Sequence, residues 1–339
     1  MCEWTVSTTA STSSGSSEVG IGRRGGTATL LLLRGDDVAS ILSGPELLDP
    51  IASALVSYSA GAATSPPRAG ASTPRGWLGA MPAYLPELTL AAKLITVFPA
   101  NTTTGRPSHQ GIVALFDAEN GRPLCVMDAR HITSVRTATV SALSVRELAR
   151  SGARVLTVLG SGEQARSHLQ LVPTVRKFSE VRLAARSQER GQALAAQFPD
   201  CHFVGSFEAA VRGADVVLCC TDSPDPVVRL SWLSQGVHLV SVGMGQEVDE
   251  STLREARLFV EWRGAVSSSP PAGASELQGL NPEAVTELGE LLAGTQPGRL
   301  SSEEVTVFKS TGLGVEDAAV ARAVYDAAVS RGLGVDVAW

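Results

Sequence analysis

Between Arg154 and Glu261 the chain alternates short apolar runs with amphipathic stretches, and its first changeover reads Gly160-Ser161-Gly162-Glu163-Gln164-Ala165. The runs are RVLTVLG before 163–171, EVRLAAR before 188–197, HFVG before 207–212, and then ADVVLCC, HLVSVG and ARLFVE. Few architectures accept this rhythm, because parallel strands need long crossovers and helical crossovers cover both faces of the sheet. It predicts an α/β fold with a Rossmann doubly wound parallel sheet over 151–305. A plain strand-to-helix turn also tolerates glycine. Here a strand precedes and a helix follows, so Gly160 and Gly162 let the backbone approach a pyrophosphate at the helix N-terminus, with Ser161, Glu163 and Gln164 beside it.

The next strand, VRLAARS, ends in Ala185, Arg186 and Ser187, where an NAD-preferring site carries an acid for the ribose hydroxyl. A guanidinium beside a hydroxyl suits a 2'-phosphate instead, and predicts NADP(H) in preference to NAD(H). The bland alternative is a solvated surface arginine.

A chain of 339 residues exceeds what one core normally serves, so a second domain is expected. Residues 1–26, rich in Ser, Thr and Gly, read as a disordered tail; an acid-poor transit peptide carrying Arg23 and Arg24 is the alternative. From Thr27, TLLLLRGDDVASIL predicts a strand and a helix capped by Asp36 or Asp37. Residues 65–76 read as a Pro/Gly loop, and Leu90 to Val97 as a strand apolar on both faces except at Lys93. Two further strands, 111–116 and 123–127, flank the hairpin signal Asn120-Gly121. A helix follows whose apolar face is Val135, Ala138, Ala142, Val145 and Ala149. Residues 27–150 thus form the first part of an α+β unit with an antiparallel or mixed sheet. SSSPPAGAS, from Ser267 to Ser275, reads as a flexible linker. The last helix carries Glu316 and Asp317 in its first turn, favourable to the helix dipole, and Gly332 near its end.

A net charge of -6 without a basic stripe excludes a nucleic-acid surface, and no apolar run is long enough to cross a bilayer. The five cysteines are scattered and lack metal-ligand spacing, so neither a disulfide framework nor a metal site is expected, and a cytoplasmic location suits them.

Three cationic residues stand out. Lys93 sits where its neighbours should be buried; a desolvated ammonium has a lowered pKa suited to proton transfer, whereas an edge-strand lysine would snorkel to water. Arg68, after Pro66-Pro67, and Arg136 offer forks for a substrate carboxylate, or equally are ion-pair partners.

Taken in order, SPPR (65–68), MPAY (81–84), AAKLITVFP (91–99), GRPSHQG (105–111), DARHITSVRTATVSAL (128–143), LGSGEQA (159–165), GADVVLCCT (213–221) and TVFKSTGLGVED (306–317) resemble the motifs of the ornithine cyclodeaminase/mu-crystallin family. The resemblance implies a homodimeric oxidoreductase acting on amino or imino acids. Its discontinuous substrate/dimerisation domain would be completed by 306–339. By motif position, Arg68, Lys93 and Arg136 would meet the substrate. Ser108, His109, Thr221, Val242 and Gly243 would line the cofactor together with Arg136, and Lys309 and Ser310 would close the cleft near the nicotinamide. Family activities include reduction of cyclic 2-imino acids, amino acid dehydrogenation, ornithine cyclisation and, in a different class, NADPH-dependent binding of thyroid hormone. Retention of Arg68, Lys93 and Arg136 together favours catalysis over hormone binding. After HLVSVG the run Met244-Gly245-Gln246-Glu247 is shorter than the family pattern and lacks the cyclodeaminase aspartate, with Glu247 or Asp249 left as acids to swing in. The expectation is imine reduction without ornithine cyclisation.

Overall fold

Hydrophobic alternation and the crossover rule sort the strands into two sheets. The computed structural model describes residues 29–339; the tail, its alternative as a transit peptide and Cys2 lie outside the described residues. The first sheet gathers β1 (Thr29–Leu33), β2 (Ala69–Thr73), β3 (Gly76–Leu85), β4 (Thr89–Val97), β5 (His109–Phe116), β6 (Pro123–Asp128) and, from the far end of the chain, β15 (Val335–Ala338). Its order is β15-β1-β6-β5-β4-β3-β2, mixed because β1 runs parallel to β6 while the other pairs are antiparallel. The second sheet is all parallel: β7 (Val155–Leu159), β8 (Glu180–Ala184), β9 (Cys201–Phe203), β10 (Val216–Cys219), β11 (His238–Ser241), β12 (Arg257–Val260), β13 (Thr286–Glu287) and β14 (Thr306–Lys309), in the order β13-β12-β14-β11-β10-β7-β8-β9. This is the Rossmann-type sheet expected from the alternation. β14 lies between β11 and β12, so the chain returns to the first sheet after Lys309 and not at 306.

The helices are α1 (Gly35–Ile41), α2 (Leu48–Ser59), α3 (Ala129–Leu148), α4 (Glu163–Val175), α5 (Gln188–Ala195), α6 (Phe207–Val211), α7 (Glu250–Glu255), α8 (Gly264–Ser267), α9 (Leu288–Leu292) and α10 (Gly314–Arg331). At the start of α1 the capping acid is Asp37, which accepts from the Arg34 amide at 2.9 Å, while Asp36 takes no part. α10 ends on Gly332 in the left-handed region and packs over β3, β4 and α2.

Three local expectations change. The Pro/Gly segment 65–76 contains β2, an exposed edge strand of small residues whose register comes from β3 and not from any pattern of its own. β4 is buried on one face only: Lys93 points inward between Met81 and Val113, while Leu90 and Leu94 lie exposed outside. Ser267–Ser275 is not a free linker, because the Gln278 amide donates to the carbonyls of Val266, Ser268 and Ala274.

α3 also departs from an amphipathic reading, since it is buried on nearly every side between the two sheets. Its hydroxyls make this possible by bonding back to their own helix: Thr133 to Ala129, Ser134 to Arg130, Thr137 to Thr133, Thr139 to Val135. Ser141 and Ser144 meet two buried imidazoles of the second sheet's unit, His168 at 2.8 Å and His238 at 3.3 Å. Burial pulls His168 down to about 4 and His238 to about 3, so both are neutral bridges. Among the described residues no helix is long and apolar enough to cross a membrane. Because α3 serves both halves, Leu143→Ala, at a fully buried position, is expected to lower unfolding free energy by about 2–5 kcal/mol in one cooperative transition. Denaturant unfolding followed by two probes checks this; separate transitions for the two halves would contradict it.

Candidate active site

A lysine ammonium buried in a sheet needs a carboxylate, and the return of the chain from β14 supplies it. Lys93 Nζ lies 2.9 Å from Asp317 Oδ1 and 2.8 Å from Oδ2, both side chains 1% exposed. Asp317 stands in the first turn of α10, where the helix dipole favours a negative charge. Its neighbour Glu316 accepts from Arg136 Nη1 at 2.8 Å and from the Leu313 amide at 3.2 Å. Arg136 Nε stands 3.5 Å from Asp317 Oδ1. α3, β4 and α10 therefore converge on one buried ionic cluster.

The turn between β14 and α10 is held from three sides. Glu261, just past β12, accepts from Ser310 Oγ at 2.6 Å and from the Thr311 amide at 2.7 Å. Trp262 Nε1 donates to Thr311 Oγ1 at 3.0 Å, and Arg68 donates to the carbonyls of Thr311 and Gly312. Gly312 has φ +78°, and a Cβ there would stand 2.6 Å from both terminal nitrogens of Arg136. Only glycine fits this turn. Desolvation and the neighbouring Arg136 lower the Arg68 pKa, opposed by Glu261, Asp317 and Glu316. Burial, then Glu261, drives Glu316 well above the carboxylate range, with Arg136 pulling the other way. Lys93 falls to about 8, mainly by desolvation, with Asp317 opposing and Arg136 and Arg68 reinforcing the drop.

At the carboxyl ends of the parallel strands the dinucleotide turn takes the shape its glycines predict. Gly160 has φ +122°, its amide donates to Ala184 O, and a Cβ would stand 2.4 Å from Cys220 O. Gly162 opens α4 with no side-chain cap and nothing near its missing Cβ, leaving the first-turn amides for an anion. Gln164 Oε1 is buried without a hydrogen-bond partner. The open first-turn amides after Gly162, and not the Gln164 oxygen, fit a dinucleotide pyrophosphate. Ala185 is half-buried and Arg186 exposed after β8, while Ser187 Oγ caps α5 through the Arg190 amide. On the facing sheet, Ser108 Oγ lies 2.9 Å from His109 Nδ1. The His109 pKa is lowered by desolvation; the charge of Asp222, past β10, raises it and that of Lys93 lowers it. Its ring thus stands in the field of both halves.

Thr221, Val242, Gly243, Lys309 and Ser310 all lie at these strand ends, organised by two acids that sequence reasoning did not assign this work. Glu247 is fully buried and accepts from Thr221 N and Oγ1, Ser241 Oγ and Gly243 N, at 2.6–2.8 Å. Glu276 pairs with Lys309 at 2.8 Å and accepts from the Val248 amide. Lys309 also donates to Ser241 Oγ and Gly243 O, and Ser310 donates to Glu261, so both are committed inside the protein. Glu247 is therefore not an acid poised to swing toward a substrate, and Asp249 is occupied capping α7 through the Thr252 amide. Glu261, Glu276 and the Asp317 pairing went unseen in the sequence. The signal available was that a buried lysine requires a counterion and that strand ends of such a sheet carry the ligand site.

The Rossmann-type fold and its similarity to known reductases and dehydrogenases mark the chain as a nicotinamide-dependent oxidoreductase acting on CH–NH bonds. The chain belongs to the ornithine cyclodeaminase/mu-crystallin family, whose model matches residues 29–332. It is 37% identical to the ketimine reductase mu-crystallin of Mus musculus, over 83% of this chain and 91% of that one. The Thermococcus litoralis Δ(1)-pyrroline-2-carboxylate reductase, solved with NADH and L-proline, superposes with a TM-score of 0.86 at 29% identity, covering 91% of this chain and 100% of that one. An archaeal alanine dehydrogenase dimer with bound NAD gives 0.84 at 31% identity, covering 92% and 99%.

Glu247→Gln is expected to destabilise the protein by about 1.5–3 kcal/mol, the usual worth of hydrogen bonds to a buried charged group. A melting temperature equal to wild type would show that the strand-end loop does not depend on this carboxylate.

Proposed function

We propose that the chain reduces cyclic 2-imino acids to the corresponding amino acids, with NADPH as the preferred cofactor. The supporting observation is the buried Lys93–Asp317–Arg136 cluster, in which an ammonium lies close to a guanidinium through a shared carboxylate. When bound, a reduced nicotinamide supplies hydride to the C=N carbon. Arg136 and Arg68 receive the substrate carboxylate and fix its orientation before transfer. As the carbon–nitrogen π pair moves onto nitrogen, the Lys93 ammonium gives that nitrogen a proton and becomes a neutral amine. The same elements serve amino acid dehydrogenation in reverse. Ornithine cyclisation has no support, because Glu247 and Asp249, the acids of the shortened loop, are both engaged in fixed contacts. Steady-state rates with pyrroline-2-carboxylate, piperideine-2-carboxylate, pyruvate plus ammonia, and ornithine test the reading. NADPH loss with the cyclic imines is expected to dominate; ammonia release from ornithine at a comparable rate would overturn it.

Cofactor choice rests on Arg186, exposed after β8 beside Ser187. Arg186→Asp removes the partner of a 2'-phosphate and introduces repulsion, so the NADPH to NADH ratio in kcat/KM is expected to fall at least about tenfold. An unchanged ratio would make Arg186 an ordinary surface residue.

Association with a second copy accounts for the outer face of the first sheet, where Leu32, Leu78, Leu90, Leu94 and Ile112 are exposed. Leu94 and Ile112 are direct cross-strand neighbours. A face of this kind suits a homodimer, and the archaeal alanine dehydrogenase is a dimer. Leu94→Glu is expected to give a folded monomer by light scattering, and an unaltered dimer would move the interface elsewhere.

Lys93 also sets a pH limit. Its ammonium is present below about 8 and lost above, so imine reduction is expected to decline as pH rises through that value. Lys93→Met should lose most turnover, with any residual rate free of this limb, while still binding NADPH. Near-normal kcat/KM in that variant would make Lys93 structural.

A further inference from the structure

We propose that Asp317 is the positioning residue of this reaction, holding Lys93 protonated and aimed through a hydrogen bond to Oδ1 and a close charge contact with Oδ2 from the first turn of α10. The inference deepens the reading of Lys93 as proton donor and rests on it only where catalysis is measured. Its basis is geometric. The pair is buried, both oxygens lie within 2.9 Å of Nζ, and the partners are separated by 224 residues, so only the folded chain brings them together.

The other groups facing Lys93 would expel its proton. Arg136 from α3 and Arg68 from the segment before β2 both depress its basicity, and its field is felt at His109 on β5. Asp317 works against them by charge and by hydrogen bond. Asp317 is itself kept in place by Arg136 Nε at 3.5 Å and by the helix dipole, with Glu316 next along the chain and Glu261 across the turn completing the acidic side. An ammonium with several N–H donors engages one carboxylate here, leaving donor capacity for a substrate nitrogen.

The test compares wild type with Asp317→Asn, Lys93→Met and the double variant. An opposite charge within contact distance typically moves a pKa by about 1–3 units. In Asp317→Asn the alkaline limb of kcat/KM should therefore move to lower pH, with about tenfold loss above the limb for each unit and far less loss below it. A uniform drop with the limb unmoved would overturn the proposal.

Thermal stability reads the same pair without any substrate. Lys93 titrates at about 8 when folded, against an ordinary 10.5. The unfolded chain thus binds more protons between those values, and this group's contribution to stability rises with pH there. Lowering the folded value further costs the Asn variant stability below about 8 and nothing above it. The melting-temperature gap between Asp317→Asn and wild type should narrow as pH rises through that value. In the Lys93→Met background the substitution should leave no such pH dependence. Should Asp317→Asn fail to fold while the double variant folds, the charge pairing is supported. A gap constant with pH, or a double variant that also fails to fold, assigns Asp317 a structural role and overturns the proposal. Absence of imine reduction by wild type would remove the substrate reading and leave this thermal comparison to decide the pair.

Discussion

Burying the Lys93 ammonium constrains this molecule more than any other single event. A charge in the middle of a sheet is tolerable only beside an opposite charge with good geometry. Asp317 satisfies it from α10, which obliges the chain to leave the parallel sheet after β14 and cross back over β3 and β4. That return sets the turn 310–313, which Glu261, Trp262 and Arg68 then hold and in which Gly312 leaves room for Arg136. The buried ionic cluster and the seam between the two sheets are thus the same set of contacts. Removing one member leaves another charge unpaired, so the site and the fold share their vulnerabilities.

The second sheet meets this seam with a frame of its own. Glu247 gathers amides and hydroxyls from the ends of β10 and β11, and Lys309 ties β14 and Glu276 to the same point. The loop after Gly243 fits this frame because Gly245 lets its backbone lie against Ser223. Rigid strand ends give the dinucleotide turn a fixed partner, while α3 carries Arg136 between the two halves.

Much of this was legible in the sequence wherever the signal was local. The Gly160 turn, the alternating strands of the parallel sheet, the hairpin at Gly121 and α10 each announce themselves within a few residues. β2 and β15 do not, because an exposed edge strand takes its register from a neighbour. α3 departs in a different way: periodicity marks one apolar face, yet the helix is buried on nearly every side because its Ser and Thr hydroxyls bond back to the helix or to buried imidazoles. At the site, Lys93, Arg68 and Arg136 were visible as cations in unusual company. Their partners were not, since Asp317, Glu316 and Glu261 lie far away in sequence and nothing local distinguishes an acid that pairs from one that solvates. Glu247 shows the converse, an acid that sequence reading left free and packing fully engages.

The most direct measurement is a crystal structure of the protein with NADP and L-proline, the product expected from a five-membered cyclic imine. The product carboxylate is expected within hydrogen-bond distance of Arg136 or Arg68, its nitrogen beside Lys93 Nζ, and Lys93 still in contact with Asp317. A ligand bound with its nitrogen remote from Lys93, or with its carboxylate away from both arginines, would contradict it.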